Sequence, residues 1–194
     1  MIYNMAEKNS LKIASKLLLD GEIIIYSTDT LYGFGVDATN TDAIDKINII
    51  KKRKQPYSII VSSLEMLKKY SIINMELENK FKNFFPGPYT VILERKKSNL
   101  SSLVSLNLGT VGIRIPDNQF VLDIVKKINR PIITTSINTH GQPSLNDINE
   151  ISRKYDKINI FSDNIKRESK GSTIIDFSSK PYKIIRQGDK SITL

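Results

Sequence analysis

Small hydroxyl and carboxylate side chains follow an apolar run near the start of the chain. Residues 23–26 are Ile-Ile-Ile-Tyr, residues 27–30 are Ser-Thr-Asp-Thr, and glycines stand at positions 33 and 35. A β-branched run is typical of a buried strand, and glycines allow a ligand to come close to the backbone. The pattern predicts the edge of a small-molecule site, where hydroxyl and carboxylate groups bind a ligand. The alternative is a strand followed by an ordinary turn.

A basic group follows a predicted helix. Lys51 and Arg53 are two residues apart in the run Lys-Lys-Arg-Lys-Gln-Pro. The point charge of a lysine beside the planar fork of an arginine suits phosphates. The alternative is a solvated helix end whose positive charges offset the helix dipole.

A second arginine, Arg114, stands inside the apolar run 110–115. Burial of a guanidinium is costly unless an anion or hydrogen bonds compensate for the lost water. Strand alternation places Thr110, Gly112 and Arg114 on one face, and we expect Gly112 to leave space for a carboxylate beside Arg114. The alternative is an exposed strand face with the arginine in water.

Two further predicted strands carry hydroxyl or amide groups at their ends, and a third ends in an arginine. Hydroxyls and amides can donate to phosphate oxygens without adding charge, although hydrogen-bonded turns would use the same residues. His140 lies in one of these turns, and we interpret it as a loop residue. The candidate binding residues in these segments are Thr134, Ser136, Asn138, Ser144, Ser172 and Arg186.

Composition narrows the classes of function. The chain has 194 residues, which fits a single domain over 1–194, and a net charge of +9, which favours polyanionic ligands such as nucleotides or RNA. With no cysteine and one histidine, thiolate sites and multi-histidine metal sites are excluded. Neither GxxxxGKS/T nor GxGxxG occurs, so a nucleotide site would be built from strand ends. No apolar run reaches the ~20 residues of a membrane span, and we expect a cytoplasmic protein.

Periodicity predicts the elements that must position these residues. Helices and strands alternate, but some strands follow one another directly, which indicates an α/β fold with a mixed sheet. The polar segment 96–109 is interpreted as a surface connection. The predicted strands are 22–26, 58–61, 90–93, 110–115, 131–135, 172–176 and 183–186. The predicted helices are 4–19, one capped by Thr41, one capped by Ser63, one ending at Pro86, 120–128 and a short one at 148–151.

Taken in order, these segments resemble the YrdC-like family of L-threonylcarbamoyladenylate synthases. The matching pieces are STDTLYGFG, the KKR run, FFPGPYTVIL, TVGIRIPDN, PIITTSINTHGQPS, and GSTIID followed by IIRQG. The resemblance implies the short, single-domain form of the family. It also implies a YrdC-like α/β fold (a dsRBD-like α/β twist), in which a twisted mixed parallel/antiparallel sheet flanked by helices surrounds a concave basic cavity.

The resemblance further implies a nucleotidyltransferase that forms threonylcarbamoyl-AMP and pyrophosphate from L-threonine, bicarbonate or carbon dioxide, and ATP. Mg²⁺ would arrive on the ATP phosphates. The product would serve the threonylcarbamoyl modification of an adenosine in tRNA through the tRNA threonylcarbamoyl transferase machinery, and the enzyme itself could contact tRNA. Carried over by motif, Thr30, Arg114, Thr134 and Ser172 would bind threonine, with Arg114 pairing its carboxylate. ATP would be bound by Lys51, Arg53, Gln55, Thr110, Ser136, Asn138, Ser144 and Arg186, with Lys51 and Arg53 stabilising charge and no general acid or base assigned.

The sequence departs from the family pattern at four places. Ser27 replaces a proline, and Ile137 replaces an alanine between Ser136 and Asn138. The loop after Arg53 is short, and Ile60 stands where many members carry histidine. The last two departures affect the assignments of Gln55 and of nearby threonine contacts.

Two other functions compete with this interpretation. A non-catalytic module that binds tRNA or double-stranded RNA would use the same basic surface, although no aromatic-basic interleaving is visible. The related carbamoyl-transfer domain of hydrogenase maturation proteins belongs to much longer chains with cysteine zinc motifs. The absence of cysteine argues against that domain.

Overall fold

A computed structural model describes residues 1–52, 54–138, 142–165 and 167–192. The strands of this part of the chain are β1 Ile2–Asn4, β2 Ile24–Tyr26, β3 Gly33–Gly35, β4 Ser58–Ile60, β5 Tyr89–Glu94, β6 Thr110–Arg114, β7 Ile132–Ser136, β8 Asn159–Ser162, β9 Thr173–Asp176 and β10 Lys183–Arg186. The helices are α1 Ser10–Leu19, α2 Thr41–Lys51, α3 Leu64–Tyr70, α4 Met75–Phe81, α5 Ser102–Ser105, α6 Gln119–Ile128 and α7 Ile148–Lys154.

The strands form one open, mixed sheet in the order β1-β8-β2-β3-β7-β4-β6-β5-β9-β10. The parallel pairs are β1–β8, β8–β2, β4–β6 and β5–β9, and the remaining neighbours are antiparallel. The prediction of a mixed sheet flanked by helices is therefore confirmed. The order is far from sequential, so segments distant in the chain meet at the centre of the sheet.

Helix α6 shows how local sequence defines an element. The side chain of Asn118 accepts a hydrogen bond from Val121 N at 3.1 Å, which caps the first turn. Buried residues at the spacing of one helix face follow, among them Ile124 and Ile128. Asn129 then ends the helix in a left-handed conformation with φ of 50°.

Several predicted boundaries differ from the structure. The helix predicted over 4–19 begins at Ser10, because the first residues instead form β1 beside β8. Thr41 was the predicted cap of α2, but the side chain of Asn40 accepts from Ala43 N at 3.1 Å and is the cap. Ser63 caps α3 as predicted.

Other differences are elements that the patterns missed. The helix predicted to end at Pro86 is α4, which stops at Phe81. The segment 96–109, interpreted as a plain connection, contains α5. Strands β3 and β8 were missed because one is a three-residue strand with two glycines and the other is short and polar at its start. In the part of the chain that the structure describes, no helix is long and apolar enough to span a bilayer.

Gly35 in β3 is required by the close approach of a buried ring. A Cβ atom at position 35 would lie 2.5 Å from Cε1 of Tyr26, which is fully buried. We expect Gly35→Ala to lower the free energy of unfolding by about 1–3 kcal/mol, as overpacking does. Chemical denaturation checks this, with Gly109→Ala as the control because a Cβ there meets nothing within 4 Å. Equal stability of the two variants would contradict the prediction.

Candidate active site

A cavity of about 260 Å³ lies where the ends of several central strands meet. Its wall is mostly hydroxyl groups, which come from the turn after β2 and from β4, β5, β7 and the start of β9. The charged residues that line it, among those the structure describes, are Arg114, Lys170 and Arg186. The cavity therefore offers positive charge and many neutral donors, which suits an anionic ligand with several oxygen atoms.

Seven residues of the predicted site line this cavity. They include all four predicted to bind threonine and three of those predicted to bind ATP. They lie on segments that are far apart in the chain and that meet at this cavity. The residues are Thr30, Arg114, Thr134, Ser172, Ser136, Ser144 and Arg186.

Lys51 lies behind the cavity wall and not on it. It is fully buried, and its Nζ donates to Ser136 O at 2.6 Å and to Asn138 Oδ1 at 2.7 Å. Ser136 Oγ donates to the same Asn138 oxygen at 2.9 Å. The ammonium of Lys51 thus ties the end of α2 to the end of β7, directly beneath one lining residue.

The remaining predicted residues are outside the cavity lining. Gln55 is exposed beside the lining residue Pro56, and Thr110 begins β6 opposite Glu94. Arg53, together with His140 in the predicted loop, lies outside the described residues. The roles of these residues in binding remain predictions.

Arg114 is a buried cation that lines the cavity. Its residue is 5% exposed, and its Nη2 donates to Asp29 Oδ1 and to Thr30 Oγ1, the latter at 3.1 Å. Its Nε is buried and has no hydrogen-bond partner among the described residues. A buried N–H group without a partner is unfavourable, so an acceptor that reached this atom would remove that cost. The sequence predicted open space for a carboxylate beside Gly112, and this prediction is wrong. Ser58 fills that space, because a Cβ atom built at position 112 would lie 2.7 Å from Ser58 Oγ.

The turn that carries Thr30 is held by its own hydroxyls. Thr28 Oγ1 accepts from Thr30 N at 3.1 Å and donates to Leu31 O at 2.8 Å. This is the local hydrogen bonding that serine and threonine offer after a strand. It fixes the turn and presents the Thr30 hydroxyl to Arg114.

Arg186 also lines the cavity. Its Nη2 donates to Ser172 O at 2.7 Å and to Ser172 Oγ at 3.2 Å, and Ser172 Oγ lies 2.8 Å from Thr90 Oγ1. Arg186 is an exposed residue, but partial burial of its guanidinium lowers its pKa, the positive charge of Arg114 lowers the pKa further, and Asp189 opposes this change. An anion bound beside Arg186 would therefore compensate its positive charge.

The sequence patterns did not identify Lys170, Ser58 and Thr90 as lining residues, nor Asp29 as the partner of Arg114. Lys170 is exposed at the cavity and sits on a turn that Asp189 holds through Ser169 Oγ and Lys170 N, both at 2.6 Å. Asp189 was the available signal, because it directly follows Gly188 at the end of the IIRQG segment. An aspartate beside a glycine in a turn commonly accepts hydrogen bonds from nearby backbone amides. Ser58 and Thr90 gave no signal, because each is a single hydroxyl at the start of an apolar strand.

The described residues contain no group of three or more His, Asp or Glu side chains placed to hold a metal ion. The lining hydroxyls are neutral, and Mg²⁺ prefers carboxylates, phosphates and water. A protein cage for Mg²⁺ does not fit this wall, and Mg²⁺ carried by ligand phosphates stays a prediction.

Comparison with known proteins identifies the family. The family model Sua5_yciO_yrdC, described as telomere recombination, matches residues 16–188. The chain belongs to this family. A Sua5/YciO/YrdC relative from Methanocaldococcus jannaschii, provisionally named a threonylcarbamoyl-AMP synthase, is 36% identical over 96% of this chain and 91% of its own. The threonylcarbamoyl-AMP synthase of Pyrococcus abyssi is 30% identical over 94% of this chain and 55% of its own.

Solved structures of the Sua5/YciO/YrdC family share the fold. The structure of Pyrococcus abyssi Sua5 complexed with L-threonine has a TM-score of 0.88 and 28% identity, and covers 97% of this chain and 57% of that one. Escherichia coli YciO has a TM-score of 0.89 over 98% of this chain and 97% of its own. At 22% identity, YciO supports the fold alone. The predicted family and the YrdC-like α/β fold are thus confirmed.

Proposed function

We propose that this protein is a threonylcarbamoyl-AMP synthase, a nucleotidyltransferase that forms threonylcarbamoyl-AMP and pyrophosphate from L-threonine, bicarbonate or carbon dioxide, and ATP. The observation that carries the proposal is the buried Nε of Arg114, which lacks a partner and belongs to a cavity-lining residue. The names of the relatives and the threonine complex of the Pyrococcus abyssi protein support it.

The threonine end of the cavity is proposed at Arg114. The carboxylate of threonine would accept from the unpaired Nε, and such charge-assisted bonds are stronger than neutral ones. Thr30, Thr134 and Ser172 would bind the remaining polar atoms, because their hydroxyls both donate and accept.

The ATP end is proposed at Arg186, Ser136 and Ser144, with Lys170 as a further cation. Lys51 would support this end through Ser136 and Asn138. Arg53, Gln55 and Thr110 stay predicted contacts.

The chemistry needs positioning and charge neutralisation more than proton transfer. The deprotonated amine of threonine attacks carbon dioxide to form a carbamate and releases a proton to water, and the carbamate oxygen attacks the α-phosphorus as pyrophosphate leaves. Nucleotidyl transfer depends on aligned reactants and on cations that stabilise developing charge. Mg²⁺ bound to the phosphates would add to this neutralisation. A wall of hydroxyls and arginines can therefore serve without a general base.

The direct test is release of pyrophosphate by the purified protein with ATP, Mg²⁺, bicarbonate and L-threonine. We expect release that depends on threonine and on bicarbonate, together with threonylcarbamoyl-AMP detected by mass spectrometry. ATP without threonine is the control for background hydrolysis. Pyrophosphate release at the same rate without threonine would refute the proposal.

The product is a reactive mixed anhydride, so we propose that it passes on to a tRNA threonylcarbamoyl transferase. Adding tRNA alone to the synthase is expected to leave pyrophosphate release unchanged. Salt-sensitive tRNA binding without threonine-dependent release would instead favour the RNA-binding module.

A further inference from the structure

An ion pair inside the site sets Arg114 apart from the other cavity cations. Asp29 Oδ1 accepts from Arg114 Nη2, and Asp29 Oδ2 accepts from Asp117 N at 3.1 Å. The Asp29 side chain is 11% exposed, and the side chain of Arg114 is 6% exposed. Both carboxylate oxygens are thus engaged, so the carboxylate is held in place and shielded from solvent counterions.

The two cavity arginines consequently differ in net charge. Arg114 and Asp29 together are neutral, yet Arg114 Nε still offers a hydrogen-bond donor. Arg186 is in none of the ion pairs formed by the described residues, and its guanidinium donates to the oxygens of Ser172. Arg114 can therefore donate a hydrogen bond without strongly attracting anions, while Arg186 keeps a positive charge that no ion pair compensates.

This difference matters because the proposed substrates carry different charges. A triphosphate has several negative charges and is attracted by any uncompensated cation within reach. An amino acid is a zwitterion, whose carboxylate needs donors but whose ammonium is repelled by a free positive charge. A compensated arginine thus suits the amino acid better than it suits the polyphosphate.

We propose that Asp29 is a specificity-determining residue that reserves the Arg114 end of the cavity for the amino acid and directs polyphosphate to the Arg186 end. This inference rests on the proposed function. Asp29 acts through Arg114, as a positioning residue that fixes one arm of the guanidinium and cancels its charge. The carboxylate is neither a metal ligand nor a proton acceptor in this role.

The test measures whether pyrophosphate and threonine compete. Threonine binding is titrated by calorimetry at a series of pyrophosphate concentrations, with the wild-type protein and with Asp29→Asn. In the wild type, the Kd of threonine is expected to stay constant within about twofold. In Asp29→Asn, Arg114 gains net charge, and we expect saturating pyrophosphate to raise the Kd of threonine by about tenfold or more.

Two matched variants separate charge from shape. Asp29→Glu keeps the negative charge and is expected to retain much of the wild-type behaviour. Asp37→Asn removes a carboxylate from an arginine pair that does not line the cavity, where Arg130 Nη1 lies 2.7 Å from Asp37 Oδ2. This control is expected to leave threonine binding insensitive to pyrophosphate.

The outcomes distinguish this inference from the proposed function. Competition between pyrophosphate and threonine in the wild type would overturn the role of Asp29, and this measurement needs no variant to fold. An Asp29→Asn protein that shows no competition would also overturn it. A wild-type protein that binds no threonine and releases no pyrophosphate in its presence would instead refute the synthase proposal itself.

Discussion

Arg114→Ala is expected to raise the threonine KM for pyrophosphate release by about 10- to 100-fold, while the KM of ATP changes by less than about threefold. The reason is the loss of a charge-assisted bond, worth about 1.5–3 kcal/mol, between the threonine carboxylate and the buried Nε. Steady-state kinetics with each substrate varied in turn checks the split. Equal losses for threonine and ATP would contradict the assignment of Arg114 to the amino acid.

The same variant is expected to lose stability, and this effect must be separated from binding. Removing Arg114 leaves the Asp29 carboxylate nearly buried without its partner, which commonly costs about 3–5 kcal/mol. The double variant Asp29→Asn/Arg114→Met removes both charges and is expected to regain most of this stability without regaining threonine binding. Recovery of threonine binding in the double variant would show that Arg114 acts only through the fold.

Arg130 offers a matched control for these measurements. It forms an ion pair with Asp37 at 2.7 Å, and neither residue lines the cavity. Arg130→Ala is expected to leave both KM values unchanged. A similar rise in the threonine KM in Arg130→Ala would indicate a general loss of folding.

Local patterns predicted most of the elements and many of the residues that line the cavity. A buried arginine in an apolar strand was visible at Arg114 because the cost of an unpaired guanidinium is large whatever the fold. The hydroxyl-rich strand ends were visible for a similar reason, since polar groups at the end of an apolar run need partners. The family resemblance then implied that these segments meet around one cavity.

What the sequence could not show is which groups pair across the sheet. Asp29 and Arg114 are 85 residues apart in the chain. Their contact depends on a strand order in the sheet that differs from the order along the chain. The position of Lys51 was hidden for the same reason. Its run of basic neighbours indicated a solvated or phosphate-binding end, whereas its ammonium lies buried against the end of β7. Hydrophobic periodicity carries no information on such long-range polar contacts.

Lys51→Met is expected to affect the ATP end as strongly as Arg114→Ala affects the threonine end. Methionine fills a similar volume but leaves Ser136 O and Asn138 Oδ1 without the buried ammonium that now donates to both. The charge behind the cavity wall is lost, and the end of β7 that carries Ser136 loses its tie to α2. We expect the KM of ATP to rise by about tenfold or more, with the Kd of threonine within about twofold of the wild type.

The stability of Lys51→Met should fall by about 1–3 kcal/mol, because a buried acceptor loses its donor. Lys46→Met is the matched control, since Lys46 lies on the same helix and donates to Gly21 O at 2.9 Å, away from the cavity. Lys51→Arg keeps the charge and should recover part of the ATP affinity if charge matters. If Lys51→Met loses stability but keeps the wild-type KM of ATP, the lysine only fastens α2 to β7, and the charge stabilisation predicted from the sequence does not come from this residue.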